Sequence, residues 1–297
     1  LKIHFGFAST LTCAAISVFC LSGALTLSTL SGCATSTKAP EKPEAVPVPP
    51  AAALPTTIDE AVAGPYRTDS NRARDQYRHP VETLKFFGLK PEMTIVELNP
   101  GGGWYMEILA PLMANNGHYI AAMPVGAKHS GDEDMASFES RYPNLASKIE
   151  IVNFNPPTHN RIAPDGSVDM ILTFRNIHNW MMSGTEKAVF KAAFSALKPG
   201  GVLGVVEHRA GPQTKNTAKG MAGYIPEKLV ISMAKKAGFK LDQKSDINAN
   251  PKDKKNYPEG VWTLPPTLHL GDQDRAKYLA IGESDRMTLR FVKPLKK

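Results

Sequence analysis

The chain alternates short apolar runs with longer segments whose apolar residues recur at helical spacing. Thr94-Ile95-Val96-Glu97-Leu98 is compact and β-branched, and predicts a strand. His118 to Ala122, Ile149 to Asn153, Val168 to Phe174 and Val202 to Glu207 read the same way. Lys240 to Ile247 and Met287 to Val292 are the last two candidates. Helical patterns lie between them. Asp69 to Gln76 is polar and helix-prone. Pro80 can open a turn in which Val81, Leu84 and Phe87 share a face up to Gly88. Trp104 to Asn115 predicts a helix that Pro111 bends and Gly117 closes. Ser183-Gly184-Thr185-Glu186 matches a capping box ahead of Val189, Phe190, Ala193, Phe194 and Leu197. Lys198-Pro199-Gly200-Gly201 ends that helix. Pro226 opens another, with Leu229, Val230, Met233 and Ala237 on one face and Gly238 as its stop. Strands alternating with helices predict an α/β fold, a parallel sheet covered on both faces.

The first 56 residues follow other rules. After Lys2 the next charged residue is Lys38, and the stretch from Leu11 to Leu25 is apolar. A basic start, an apolar middle and a small-residue end read as a secretory signal. A membrane-spanning helix is the rival, because the uncharged run is long enough to cross a bilayer. Nine Ser or Thr residues between Phe5 and Gly32 dilute its hydrophobicity and favour the signal. Residues 34–56 contain six prolines among Ala, Thr, Lys and Glu, which suits an extended tether. Fully extended, it reaches roughly 70 Å. The domains expected are therefore a signal over 1–32, an anchor and tether over 33–56, and a folded body over 57–297.

Composition adds exclusions. With 297 residues, 42% hydrophobic and 21% charged, the chain matches a globular protein and can bury a sizeable core. The net charge of +7 is not gathered into a basic arm, so no nucleic-acid partner is expected. All three cysteines, Cys13, Cys20 and Cys33, precede residue 34. The body therefore has no disulfide framework, no Cys-ligated zinc and no cysteine nucleophile, and no metal ligand set is read in it.

The sharpest motif is Glu97-Leu98-Asn99-Pro100-Gly101-Gly102-Gly103, between a predicted strand and a predicted helix. Glycines there let a ligand approach the backbone, and the helix start adds donors. The spacing is not that of a dinucleotide fingerprint or of a P-loop. It resembles motif I of the class I S-adenosylmethionine-dependent methyltransferases, with Asn99 in place of the first glycine. Asn accepts left-handed backbone better than most residues. Lys198 to Gly201, Asp169 and Ala237-Gly238-Phe239 also resemble that superfamily. Arg78-His79-Pro80, Asn176 to Trp180 and Ser284-Asp285-Arg286-Met287 are similar to a family of exported bacterial methyltransferases. Leu30-Ser31-Gly32-Cys33 resembles the lipobox of bacterial lipoproteins, in which the cysteine is lipidated. With Ala34 after it, the enterobacterial pattern implies export and anchoring on the periplasmic side, at the outer membrane.

The resemblance implies a Rossmann-like, seven-stranded, mostly parallel sheet. It implies S-adenosylmethionine as cofactor, with Glu97, Asn99, Gly101, Gly102, Gly103, Asn155 and Asn176 at its site. The usual carboxylate for the ribose hydroxyls is missing, since strand two ends in Ala122-Met123-Pro124. Such a lost hydrogen bond costs about 1–3 kcal/mol. Asp132, Glu133 and Asp134 are the candidates to replace it. His178 and His208, each just beyond a strand, are candidate bases with ordinary values near neutrality, or else structural histidines. Glu207 is a candidate orienting partner. Asn176, Asn179 and Trp180 could close over the donor. Arg72, Arg74, Arg78 and His79 could cover an acidic substrate or form a solvated helix face. Asn248 to Leu270 is a lid or a surface excursion. The acceptor expected is a small molecule or an envelope component. The rival is a non-catalytic scaffold lipoprotein, because the donor is made in the cytoplasm and the address points outside.

Overall fold

The apolar runs become seven strands: β1 (Thr94–Leu98), β2 (His118–Met123), β3 (Ile149–Asn153), β4 (Val168–Phe174), β5 (Leu197–His208), β6 (Lys240–Ser245) and β7 (Arg286–Val292). They form one sheet in the order β3-β2-β1-β4-β5-β7-β6. All pairings are parallel except those of β7, which runs antiparallel to β5 and β6. The order reverses between β1 and β4, where an open parallel sheet leaves a crevice at its carboxyl ends. The computed structural model describes residues 53–125, 130–214 and 222–295, with the side chains of 130–135 outside the description. The signal, Cys33, nearly all of the tether and the side chains of Asp132, Glu133 and Asp134 lie outside the described residues. No described helix is long and apolar enough to cross a membrane.

The helices are α1 (Ile58–Ala63), α2 (Asp69–Arg72), α3 (Asp75–Arg78), α4 (Pro80–Phe87), α5 (Met106–Met113), α6 (Ser130–Arg141), α7 (Pro143–Ala146), α8 (Ile177–Ser183), α9 (Glu186–Ala196), α10 (Glu227–Ala237) and α11 (Arg275–Ile281). Side chains alternate across a strand, so β1 sends Ile95 to one face and Val96 and Leu98 to the other. Ile95, Met170 and Leu172 pack with Leu84 and Phe87 of α4 and Ile108 and Leu109 of α5. Val96, Ile171 and Val205 pack with Val189 and Phe190 of α9 and Val230 of α10. Each such side chain stabilises the fold by about 1.5–3 kcal/mol on burial. Gly204 lets α4 approach β5, because a Cβ there would lie 2.8 Å from both Phe87 and Leu172.

Three local expectations give way to tertiary packing. The polar stretch Asp69 to Gln76 is two separate turns, α2 and α3, bent at Ala73 and Arg74 over the rim of the crevice. The capping box at Ser183 does not form. Ser183 ends α8, its hydroxyl bonds Asn179 and Trp180 carbonyls, and Thr185 precedes α9 without a side-chain cap. Lys198 to Gly201 does follow the end of α9 at Ala196, and it lies within β5 as a register shift against β4, with Gly200 left-handed. On α10 it is Ala234 that is buried beside Val230, while Leu229 is exposed.

Candidate active site

The glycine turn leaves β1 through three left-handed residues, Asn99 (φ 50°), Gly101 (φ 57°) and Gly103 (φ 68°). Asn at the first position keeps the backbone form that a glycine would have there. Its conformation is fixed from α8. Asn176 Nδ2 donates to the carbonyls of Leu98 (2.8 Å) and Asn99 (3.3 Å), and Trp180 Nε1 donates to Asn99 Oδ1 (3.3 Å). Trp180 is buried in the core. Asn176 and Trp180 thus hold the loop, and both also line the crevice beside it. Gly103 serves packing, since a Cβ there would lie 2.6 Å from Met106 Cε.

The crevice has two lobes that share Asn99, Gly101, Asn176 and Asn179. One, about 420 Å³, is walled by Met123, Pro124, Phe154, Asn155, Trp180 and Val189. The other, about 260 Å³, is lined by Glu97, Gly102, His178 and His208 together with Arg74, Arg78, Arg175 and Arg286. The structure therefore gathers the candidate residues into one crevice but divides them. Asn155 belongs to the first lobe, Glu97, Gly102 and both histidines to the second, and Gly103 lines neither. Part of Asn248 to Leu270 walls the second lobe. Val261, Trp262, Pro265, Pro266 and Thr267 face inward. Asn248 donates to Thr83 and Thr288, and buried Asp253 accepts from Tyr224 (3.1 Å) and the Asp285 backbone (2.8 Å).

At the carboxyl ends of β4 and β5, His178, Glu207 and His208 are all buried, with ligand-capable atoms within 4.8 Å of one another. Glu207 accepts from the Ile177 backbone (2.6 Å) and pairs with His178 Nδ1 (3.0 Å), which makes it the orienting partner. With that proton on Nδ1, His178 presents Nε2 as an acceptor. His208 Nδ1 meets Ser284 Oγ at 2.5 Å. Burial pushes His208 well below the usual histidine range, and His178, Arg175, Arg286 and Arg78 push the same way. That positive surround also opposes a divalent cation at this triad.

Glu97 is buried at the floor, where Tyr119 donates to it at 2.7 Å. Burial raises its carboxyl to about 7, against the hydrogen bond from Tyr119. The unfolded chain ionises this group first, so its contribution to stability falls as pH rises from about 4.5 through about 7. The difference in unfolding free energy between the natural chain and Glu97→Gln is expected to fall by about 2 kcal/mol from pH 5 to pH 8. Urea melts of both proteins at the two pH values measure it, and a flat difference would contradict the raised value.

The basic N-terminal run is not a solvated face. Arg78 is buried with its guanidinium 4.7 Å from the Trp104 ring centroid, Arg74 bonds Glu283 at 2.6 Å, and Arg72 bonds backbone carbonyls of α1 and its end. Buried Glu107 of α5 ties this segment down through the Thr68 backbone (3.0 Å), Asn71 (2.9 Å) and Arg141 (2.8 Å). Arg175, Glu283 and Trp262 escaped the sequence reading. For Arg175 a signal existed, a basic residue directly after the apolar strand Val168 to Phe174.

No protein-family model and no curated protein matches the chain. Solved structures do. A SAM-dependent methyltransferase from Aquifex aeolicus is 16% identical with a TM-score of 0.50, over 74% of this chain and 93% of that one. The cyclase SpnF is 13% identical with a TM-score of 0.51, over 80% and 92%. Phosphoethanolamine N-methyltransferase 2 of Haemonchus contortus, in complex with S-adenosyl-L-methionine, is 15% identical with a TM-score of 0.50, over 80% and 56%. This likeness, together with the sheet order, establishes that the chain has the fold of the class I S-adenosylmethionine-dependent methyltransferases.

Proposed function

We propose that the chain is an S-adenosylmethionine-dependent methyltransferase, tethered to a membrane through lipidated Cys33, with a small molecule or an envelope component as acceptor. The observation that carries this reading is the glycine loop, whose left-handed Asn99 and Gly101 stand where an apolar lobe meets a charged one. The residues present fit the cofactor. Phe154, Val189 and Pro124 offer apolar faces to a purine, and Asn155 an amide to its edge. Glu97 lines the other lobe, where an ammonium would need a carboxylate. At the end of β2, Met123 offers no acceptor to the ribose, so affinity ten- to a hundredfold below that of a site with the carboxylate is expected.

When bound, the cofactor supplies an electrophilic methyl group for direct displacement. The chain's task is alignment and proton removal. His178 Nε2, oriented through Nδ1 by Glu207, is placed to take a proton from an attacking O or N. His208, held neutral by its surroundings, is the second candidate. The wall carrying Trp262 and Pro266 narrows the lobe.

Calorimetry of the full chain with S-adenosylmethionine and with S-adenosylhomocysteine tests the reading. Binding of both is expected. If neither binds at millimolar concentration, the rival stands: a scaffold that keeps the fold without the donor, a reading that Met123 favours. The tether has its own test. Protein from the membrane fraction should give a mass that starts at Cys33 and includes a diacylglyceryl group, and an unmodified soluble product would refute it.

A further inference from the structure

We propose that the acceptor is an anion, a carboxylate- or phosphate-bearing molecule whose charged group is held by Arg78, Arg175 and Arg286 in the smaller lobe; this rests on the methyltransferase reading above. Three observations lead there. Arg78 and Arg286 are both more than nine-tenths buried, yet Arg78 Nη2 and Arg286 Nε have no hydrogen-bond partner. Arg78 bonds Glu283 through Nε, Arg286 bonds Glu283 and the Tyr77 carbonyl (3.2 Å), and Glu283 is the carboxylate that Arg74, Arg78 and Arg286 share. Buried guanidinium donors are costly to leave unpaired. Second, the Arg175 side chain lines the same lobe and makes no hydrogen bond or ion pair among the described residues. Its own backbone is left-handed, at φ 63°, a form that bulky residues rarely take and that here turns the chain toward the crevice.

The third observation is the charge balance. Even with Glu97, Glu207 and Glu283 all ionised, Arg74, Arg78, Arg175 and Arg286 leave the lobe positive. The cofactor cannot correct this, because its sulfonium and ammonium outnumber its one carboxylate. Its arrival makes the lobe more positive still. A second ligand must bring the negative charge, and guanidinium forks match the two oxygens of a carboxylate or phosphate.

Two sources share this anion chemistry, the acceptor and the cofactor's own carboxylate. Calorimetry with inorganic phosphate, and separately acetate, at matched chloride ionic strength tells them apart, using the full chain with and without S-adenosylhomocysteine. Phosphate or acetate is expected to bind one to one in both states, no weaker with the nucleoside present. Arg175→Gln should weaken that binding at least tenfold. Since Arg175 has no partner to lose and sits among like charges, the melting temperature without anion should not fall. Binding only in the absence of S-adenosylhomocysteine would assign the arginines to the cofactor's carboxylate and overturn the proposal. No binding at all, or binding untouched by Arg175→Gln, would overturn it equally. If the anion binds through Arg175 while S-adenosylhomocysteine does not bind, the anion site stands and the methyltransferase reading falls.

Discussion

Gly101→Val is expected to abolish detectable binding of S-adenosylmethionine, a loss of at least a hundredfold. Two effects combine. Gly101 has φ 57°, a form that costs an ordinary residue about 1–2 kcal/mol and a β-branched one more. The second effect is steric. A Cβ at Gly101 meets no protein atom nearer than the Asn99 carbonyl at 4.0 Å, so the added side chain enters the space that joins the two lobes. The fold can accept the substitution because nothing of the core is in the way, and only the crevice is filled. Calorimetry against both S-adenosylmethionine and S-adenosylhomocysteine measures the loss, with a urea melt to confirm folding. Gly101→Ala should fall between the two, since it keeps the strain and adds one methyl. Affinity of Gly101→Val within threefold of the natural chain would remove this loop from the site.

Glu283→Gln is expected to cost about 3–5 kcal/mol of stability, the largest effect of a single substitution. Glu283 is buried and pairs with Arg74 at 2.6 Å, with Arg78 at 3.2 Å and with Arg286. Removing the carboxylate leaves three guanidiniums, two of them buried, with no countercharge among their direct partners. Burial alone pushes this carboxyl up, but Arg286, Arg78 and Arg74 outweigh it and hold it well below the usual range. Its contribution is therefore present above the ordinary carboxylate value and is lost as pH falls through the folded one. The deficit of the mutant, read from urea melts, should shrink below about pH 4. Asp242→Asn, which breaks the more exposed pair with Arg290, is the control and should cost under about 1 kcal/mol. Equal costs for the two substitutions would show that Glu283 does not hold the cluster together.

Phosphate binding through Arg175 and stability through Glu283 separate two uses of the same cluster. Glu283 anchors the arginines that are tied to the fold, and Arg175 is the member with no structural bond. A loss of anion binding in Arg175→Gln without a loss of stability is thus the pattern of a ligand site.

Much of the fold is legible in the residues themselves. Strand and helix differ in period, and β1, β2, β3 and β4 fall within a residue of the runs that predict them. The glycine loop was equally readable, because left-handed backbone restricts the residue types that can sit there. Asn99 in place of a glycine was read as compatible, and it is left-handed. The failures share one cause. The Ser183 capping box and the single helix at Asp69 are local patterns that competing partners overrule. Ser183 finds the carbonyls at the end of its own helix, and Glu107 draws the Asp69 segment down onto α5.

The sequence by itself determined the alternation of strands and helices, the place of the glycine turn and the absence of cysteine from the body. Each depends on residues a few positions apart, and short-range geometry settles it. Only the tertiary structure decided which charges meet. Arg78, Arg175, Glu207, Glu283 and Arg286 come from α3, the end of β4, β5, the turn before β7 and β7 itself. Glu283 and Arg286 are three positions apart, but no spacing joins the others to them, and Arg74 to Glu283 spans 209 positions. Their common environment exists because parallel strands direct their carboxyl ends to one edge of the sheet, where burial strengthens every charge that the fold places there.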